Sequence, residues 1–319
     1  MSEHSRPDAS APLAAVVDLG TNAARLALAT IDDAGRLESH GRWRELIRLG
    51  EGVRETGLLS EKAMERGLAC LARFAQIIGE HRVNLVDALA TSALREARNS
   101  DVFIERALQL GIAMRVITPE EEARLALAGV FAGEKVRPER ALVFDVGGGS
   151  LEVMLSEHDE VREMASLPAG VVYLTEHYLK NMPTPHEQVQ ACSEAVEAML
   201  ADVDFAEAEL AEIPFIGCGG VVALAWFLTE GEPLGGGVNG LSLPASFFEE
   251  WVGRFAGLSY EARNGLRGFE MGREDVALAG LIVVRALLRW GGKRKFGIST
   301  GGVREGRLLE LLKSSAQIR

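Results

Sequence analysis

The chain has 319 residues, of which 47% are hydrophobic, 25% charged and 6% aromatic, and a formal net charge of -12. That composition excludes a disordered or fibrous chain, and the acidic balance argues against general nucleic-acid binding, whose counterion-release term needs a basic face. A single core stops growing near roughly 250–300 residues, so two domains are expected.

Met1 to Pro12 is polar, with neither an apolar core segment nor a cleavage signal, and reads as a frayed tail and not a signal peptide. From Ala15 to Leu28 a short apolar run enters Asp18-Leu-Gly20, turns on small residues and leaves through a second apolar run carrying Arg25. Such runs bounded by turn chemistry are strands, so this is a hairpin. Apolar residues at three-to-four spacing predict a helix over Glu61–Glu80, and Ala88 to Ser92 predicts a strand leading into another helix. Thr118-Pro119-Glu120-Glu121 reads as a capping box, with Thr at the N-cap, Pro at the first helical position and Glu at the third.

Leu142 to Leu155 repeats the first hairpin: Asp145 stands for Asp18 and Gly147 for Gly20, an offset of 127 (145 − 18). The charge on its second run is Glu152. A helical stretch follows over His186–Leu210, and then Ile216 to Phe227, with Gly219-Gly220 at its turn, echoes the Thr91 region at an offset of 128 (219 − 91). The apolar run Val276–Trp290, interrupted by Arg285, falls short of the ~20 residues of a membrane span and predicts a buried helix. Strands alternating with helices in two similar halves make a duplicated α/β chain with the ligand expected between the halves.

The turn Gly147-Gly-Gly149-Ser150 exposes backbone N–H groups and a hydroxyl to an anion, with Gly20-Thr21-Asn22 as its counterpart. It is neither a dinucleotide fingerprint nor a Walker loop, because a strand and not a helix follows it. Asp18 and Asp145 directly before these turns would repel phosphate unless a cation intervened, which implies Mg²⁺ bridging carboxylates, water and substrate. The alternative, that each Asp caps its turn, does not explain two copies at matching positions. Glu120 and Glu121 are accounted for by helix-start physics. Glu122 differs, beginning a row with Leu125, Ala126, Gly129 and Val130 that faces protein or a cleft, and an inward carboxylate needs a partner (Arg95 or Arg124) or a function. Two basic patches, Arg42/Arg44/Arg48 and Lys293/Arg294/Lys295, read first as solvated faces. Cys70, Cys192 and Cys218 form no disulfide or zinc pattern and suit a reducing cytoplasm. The six His lack metal-ligand spacing, and no serine or cysteine nucleophile signature occurs.

With these stretches assembled, the sequence resembles the exopolyphosphatase / guanosine pentaphosphate phosphatase (Ppx/GppA) family of the actin, sugar kinase and heat-shock ATPase superfamily. The carrying segments, in order, are Val17–Asn22, Ala90–Asn99, Glu121–Leu125, Phe144–Glu152, Ser166–Gly170 with Leu174–Glu176, and Gly302–Gly306. The resemblance implies two actin-like (ribonuclease H-like) domains with a cleft between them, about 13–124 and 125–319, where a C-terminal helix near 303–319 can pack back on the first. It also implies the short two-domain form. The implied activity is exolytic, Mg²⁺-assisted hydrolysis of the terminal phosphate of inorganic polyphosphate, or of guanosine pentaphosphate. Glu122 is the implied general base, Arg95 the phosphate-binding arginine, and Asp145 and Glu152 the metal-linked acids; Gly20–Asn22, Gly147–Ser150 and Gly219-Gly220 are the phosphate turns. No nucleic acid or membrane partner is expected, and a homodimer is admitted without a legible interface. Two departures, Ala23 where the family usually has Ser or Thr and Val221 where it often has Thr, each remove a hydroxyl that could hold phosphate. They keep a non-hydrolysing phosphate-sensing module open as an alternative, while a sugar or acetate kinase is supported by fold alone.

Overall fold

The computed structural model describes residues 12–132, 137–231, 238–266, 269 and 272–317; the expected tail lies, up to Ala11, outside them. The chain divides into two units, one running to Ala132 and resuming at Val303, the other holding the stretch between, to Gly302.

The first unit opens with β1 (Ala14–Leu19), β2 (Ala23–Ile31) and β3 (Leu37–Leu46), followed by α1 (Val53–Thr56) and α2 (Glu61–Glu80). It continues through β4 (Leu85–Ala90), α3 (Ser92–Glu96), α4 (Ser100–Gln109), β5 (Met114–Val116) and α5 (Pro119–Ala132). The sheet order is β3-β2-β1-β4-β5. β1 is buried along its whole length, as a central strand covered on both faces must be. Its hairpin neighbour β2 runs antiparallel, while β4, reached through helices, runs parallel. α2 starts on Ser60, whose hydroxyl accepts from Ala63 N (3.2 Å), and buries Ala63, Met64, Cys70, Leu71 and Phe74.

The second unit contains β6 (Arg140–Val146), β7 (Leu151–Glu157), β8 (Glu160–Leu167), α6 (Val171–Tyr178), α7 (His186–Ala201), α8 (Glu207–Glu212) and β9 (Phe215–Cys218). Then come α9 (Gly219–Glu230), β10 (Ser242–Pro244), α10 (Ala245–Ala256), α11 (Tyr260–Asn264), α12 (Ala277–Trp290) and β11 (Lys295–Ile298). Its sheet, β10-β11-β9-β6-β7-β8, repeats the first in the order β8-β7-β6-β9-β11 and adds β10 at one edge. The duplication holds at single-residue level: Asp18 pairs with Arg25 across the first hairpin and Asp145 with Glu152 across the second. α12 is buried nearly all round, and Arg285 escapes by donating to Ser193 Oγ of α7 at 2.7 Å. Among the described residues no helix is long and apolar enough to cross a membrane.

Two expectations change. The helix predicted over His186–Leu210 is α7 and α8 separated at Asp202–Ala206, where Val203 and Phe205, two apart, leave helical spacing to insert into the core. Each hairpin also carries a third strand, β3 or β8, whose half-exposed faces blur the apolar run that marks its neighbours.

The chain returns to the first unit as α13 (Val303–Gln317), which packs along α5, a helix continuous across Arg124 and Leu125. Arg124 and Arg307 both hold Glu310, and Arg307 reaches Asp87 on β4 at 2.6 Å. Burial alone would raise the Glu310 carboxyl, but these two arginines outweigh it and hold it below its ordinary 4.5. A carboxylate depressed by folding stabilises the fold above that ordinary value, and the contribution is lost as pH falls through the lower folded one. Glu310→Gln should therefore flatten the dependence of melting temperature on pH below about 4.5, read by thermal melting in acid, with an unchanged slope counting against this anchor.

Candidate active site

The first turn is clamped from behind. Gly20 N donates to Ala23 O (3.1 Å), closing the hairpin, while the carbonyl of Thr21 accepts from Gly50 N and that of Asn22 from Ile47 N and Arg48 N, all at 2.9–3.0 Å. Gly50 lies so close that a Cβ there would collide with the Thr21 side chain. With its carbonyls committed to the loop after β3, the turn keeps Thr21 Oγ1 and Asn22 Oδ1 buried and without a hydrogen-bond partner. Orphaned buried polar atoms are rare in folded chains, and here they sit on the turn expected to bind phosphate. Asp18, 8% exposed, receives Arg25 Nη1 at 3.3 Å, so its charge is answered within its own hairpin.

Thr91 N donates to Leu19 O, which sets the start of α3 beside the end of β1. From α3, Arg95 Nη1 donates to Ile117 O (2.9 Å) and to Glu122 Oε2 (2.7 Å). The helix start separates the three glutamates of α5. Thr118 Oγ1 accepts from Glu121 N (3.2 Å); exposed Glu120 is held below the usual carboxylate range by its own backbone N–H and the Thr118 hydroxyl; Glu121 pairs with Arg115 at 2.7 Å. Glu122 is turned inward to Arg95, with side-chain exposures of 14% and 19%. Of its two possible partners the structure selects Arg95, since Arg124 is committed to Glu310.

The second turn is built alike: Gly147 N donates to Ser150 O at 2.9 Å. Here the first N–H groups of α6 do the clamping, Val171 N on Gly147 O (3.0 Å) and Val172 N on Gly148 O (2.9 Å). Gly170 meets the Gly149 backbone so closely that no Cβ fits between them. Behind the turn, Asp145 and Glu152 stand directly opposite each other, and Ser166 Oγ donates to Glu152 Oε1 at 3.0 Å. Gly219, at φ +82°, lies where a Cβ would strike Asp145 Oδ1, so glycine is required by both conformation and space. Gly220 O accepts from Arg273 Nη1 at 2.5 Å.

Sequence reasoning gave no role to Arg273, whose only signal was a charge just ahead of an apolar helix. Val221, 6% exposed, packs against Gly280 of α12. All three cysteines are buried and none forms a disulfide, and burial pushes the Cys70 and Cys192 thiols up to about 12.

Like charges directly opposite across two strands are destabilising. In the first hairpin the pair is a carboxylate and a guanidinium; in the second it is two carboxylates, with oxygen donors only. Mg²⁺ is held through one or two carboxylates, several waters and substrate phosphate, and Asp145 with Glu152 fits that donor chemistry. Among the described residues no cluster of three or more His, Cys, Asp or Glu is shaped to enclose a metal.

A model of the Ppx/GppA phosphatase family matches residues 30–315 of this chain. The chain is 31% identical over 294 residues to exopolyphosphatase 2 of Mycobacterium tuberculosis, covering 86% of this chain and 89% of that protein. It is 32% identical over 212 residues to a guanosine-5'-triphosphate,3'-diphosphate pyrophosphatase of Photobacterium profundum, covering 66% of this chain and 42% of that one. Among solved structures, the crystal structure of the Aquifex aeolicus Ppx/GppA family member superposes with a TM-score of 0.79 at 33% identity, over 95% of this chain and 99% of the other.

Proposed function

Since the chain belongs to the Ppx/GppA phosphatase family, we propose that it is an exopolyphosphatase, hydrolysing the terminal phosphoanhydride of inorganic polyphosphate. The observation that carries the proposal is the half-buried Glu122 carboxylate held by Arg95 at 2.7 Å. Support for polyphosphate comes from the extent of similarity, which runs along 89% of an exopolyphosphatase and along 42% of a guanosine pentaphosphate enzyme. The second reading, a 5'-phosphatase of guanosine pentaphosphate, uses the same terminal group and differs in what lies beyond it.

Glu122 orients a water and takes its proton as the water oxygen bonds to the terminal phosphorus. The bridging P–O bond breaks, the shortened chain leaves on that oxygen, and orthophosphate is released. Arg95, carrying donors beyond the Nη1 that fixes Glu122, meets charge on the equatorial oxygens. The amides and hydroxyls of the first turn position the terminal group, and for phosphoryl transfer such positioning supplies most of the catalysis. Asp145 and Glu152 would hold Mg²⁺, which when bound screens phosphate charge from the carboxylates and from the acidic chain.

The test is phosphate release over a panel of polyphosphates and guanosine polyphosphates with Mg²⁺ titrated. Polyphosphate should give the higher kcat/KM, and release confined to guanosine pentaphosphate would move the assignment to the second reading. In the same titration Glu152→Gln should raise the Mg²⁺ concentration for half-maximal rate about 10- to 100-fold, the range for altered metal support. An unshifted titration would remove Glu152 from the metal.

A further inference from the structure

At 1% exposure, Arg263 of α11 is the bulkiest fully buried side chain among the described residues. Burying a guanidinium is costly unless its charge and donors are answered. Burial pulls its pKa down to about 10 against the opposing field of Asp275, so it keeps its charge at neutral pH. Its donors go mainly to backbone. Nη2 donates to Phe255 O (3.1 Å), in the last turn of α10, where the helix dipole favours a cation, and to Thr184 Oγ1 (3.4 Å). The guanidinium carbon lies 4.6 Å from the centre of the Phe255 ring. Nη1 donates to Glu274 O at 2.6 Å, the shortest of these bonds.

That last bond reaches a segment pinned residue by residue. Glu274, itself 1% exposed, turns its carboxylate back so that Oε1 accepts from Gly272 N (2.8 Å). Ala277 N donates to Arg273 O (2.9 Å), and Asp275 Oδ1 accepts from Val276 N (3.0 Å) as α12 begins. From this segment the Arg273 side chain, 8% exposed, donates through Nη1 to Gly220 O at 2.5 Å. A Cβ on Gly220 would meet its Nη1 and Nη2 at 3.1 Å, so the guanidinium covers the turn, and Gly219 in its own place lies against Asp145 Oδ1. Contacts within the second unit therefore run without a break from the buried cation to the carboxylate expected to hold Mg²⁺.

A buried polar cluster built for stability matches its groups donor for acceptor. Here Arg263 Nε and Glu274 Oε2 are buried without hydrogen-bond partners among the described residues, while the shortest bond fixes main chain next to Arg273. We propose that Arg263 is a positioning residue: by holding the carbonyl of Glu274 it sets the reach of Arg273 over the Gly219-Gly220 turn, and through Gly219 the seat of the Asp145 carboxylate. This rests on the phosphatase reading above, in which Asp145 helps to hold Mg²⁺.

The test compares Arg263→Lys, Arg273→Gln and the double variant by amide hydrogen exchange and by kinetics, after melting temperatures have verified the fold. Lys keeps the buried charge but replaces a rigid fork of donors with a point charge. In Arg263→Lys the peptide of residues 216–224 should exchange at least about tenfold faster, while the β7–β8 hairpin exchanges as in the unsubstituted protein, a local opening that general loosening does not produce. With polyphosphate as substrate, the Mg²⁺ concentration for half-maximal rate should rise at least about threefold. Adding Arg263→Lys to Arg273→Gln should shift neither readout by more than about twofold further, because both changes act through one contact. Exchange at residues 216–224 that is unchanged, or accelerated equally in the β7–β8 hairpin, would overturn the proposal, and so would additive effects in the double variant. If Arg263→Lys does not fold, Arg263→Gln, which buries no charge, takes its place in the same comparison. Should the unsubstituted protein release no phosphate at all, the functional reading fails separately. The exchange comparison needs neither substrate nor Mg²⁺, and it then decides the role of Arg263 by the same two outcomes.

Discussion

Glu122→Gln is expected to lower kcat for phosphate release by about 10²–10⁴-fold, the span of a positioned general base, with little change in KM or melting temperature. The substitution is nearly isosteric and leaves an amide oxygen able to accept from Arg95, so the 2.7 Å contact and the bond from Arg95 to Ile117 O survive in large part. What disappears is the capacity to take a proton from water. A loss in kcat and kcat/KM together, without a change in binding, marks an interaction made in the transition state. Glu121→Gln is the matched control: its carboxylate lies one residue away and pairs with Arg115, so it should leave turnover near wild type. Phosphate release by Glu122→Gln at the wild-type rate would remove the proposed base and favour water activation by another group.

The duplication was legible in the sequence because each copy concentrates its information locally. An apolar run, an Asp-x-Gly turn and a second apolar run fix a hairpin without reference to the rest of the chain, and the offset of 127 carries intact into the strand pairing. The single charges on the second runs, Arg25 and Glu152, were visible too, but their meaning was not. Only the register sets one opposite Asp18 and the other opposite Asp145, turning one hairpin into an ion pair and the other into a pair of carboxylates. Glu122 could be read as inward-facing from helical spacing. Its partner could not, because Arg95 is 27 residues away on a different helix and Arg124 is nearer in sequence. The roles of Gly50, Gly170 and Arg273 were hidden for the same reason: each acts by approaching a turn from a remote segment.

Gly306→Ala is the largest structural effect expected. Ala is better than Gly inside a helix by about 1 kcal/mol, so on propensity alone the change should stabilise α13. Space decides the other way. A Cβ at this position would land well inside van der Waals contact of the Leu125 carbonyl oxygen and 3.1 Å from Gly129 N, both backbone atoms of α5. No side chain can rotate aside, so α5 and α13 must separate. Overpacking of this kind costs about 1–3 kcal/mol and more where backbone must move; at ~3 kcal/mol the melting temperature drops by roughly 6–12 °C for a domain of this size. Leu125 lies one helical turn after Glu122, so the displacement reaches the base as well. Melting temperature and kcat should therefore fall together, whereas Glu122→Gln moves kcat alone. A Gly306→Ala protein that melts at or above the wild-type temperature would show that the two helices are not in backbone contact, and with that the fixed placement of Glu122 by α13 would be lost.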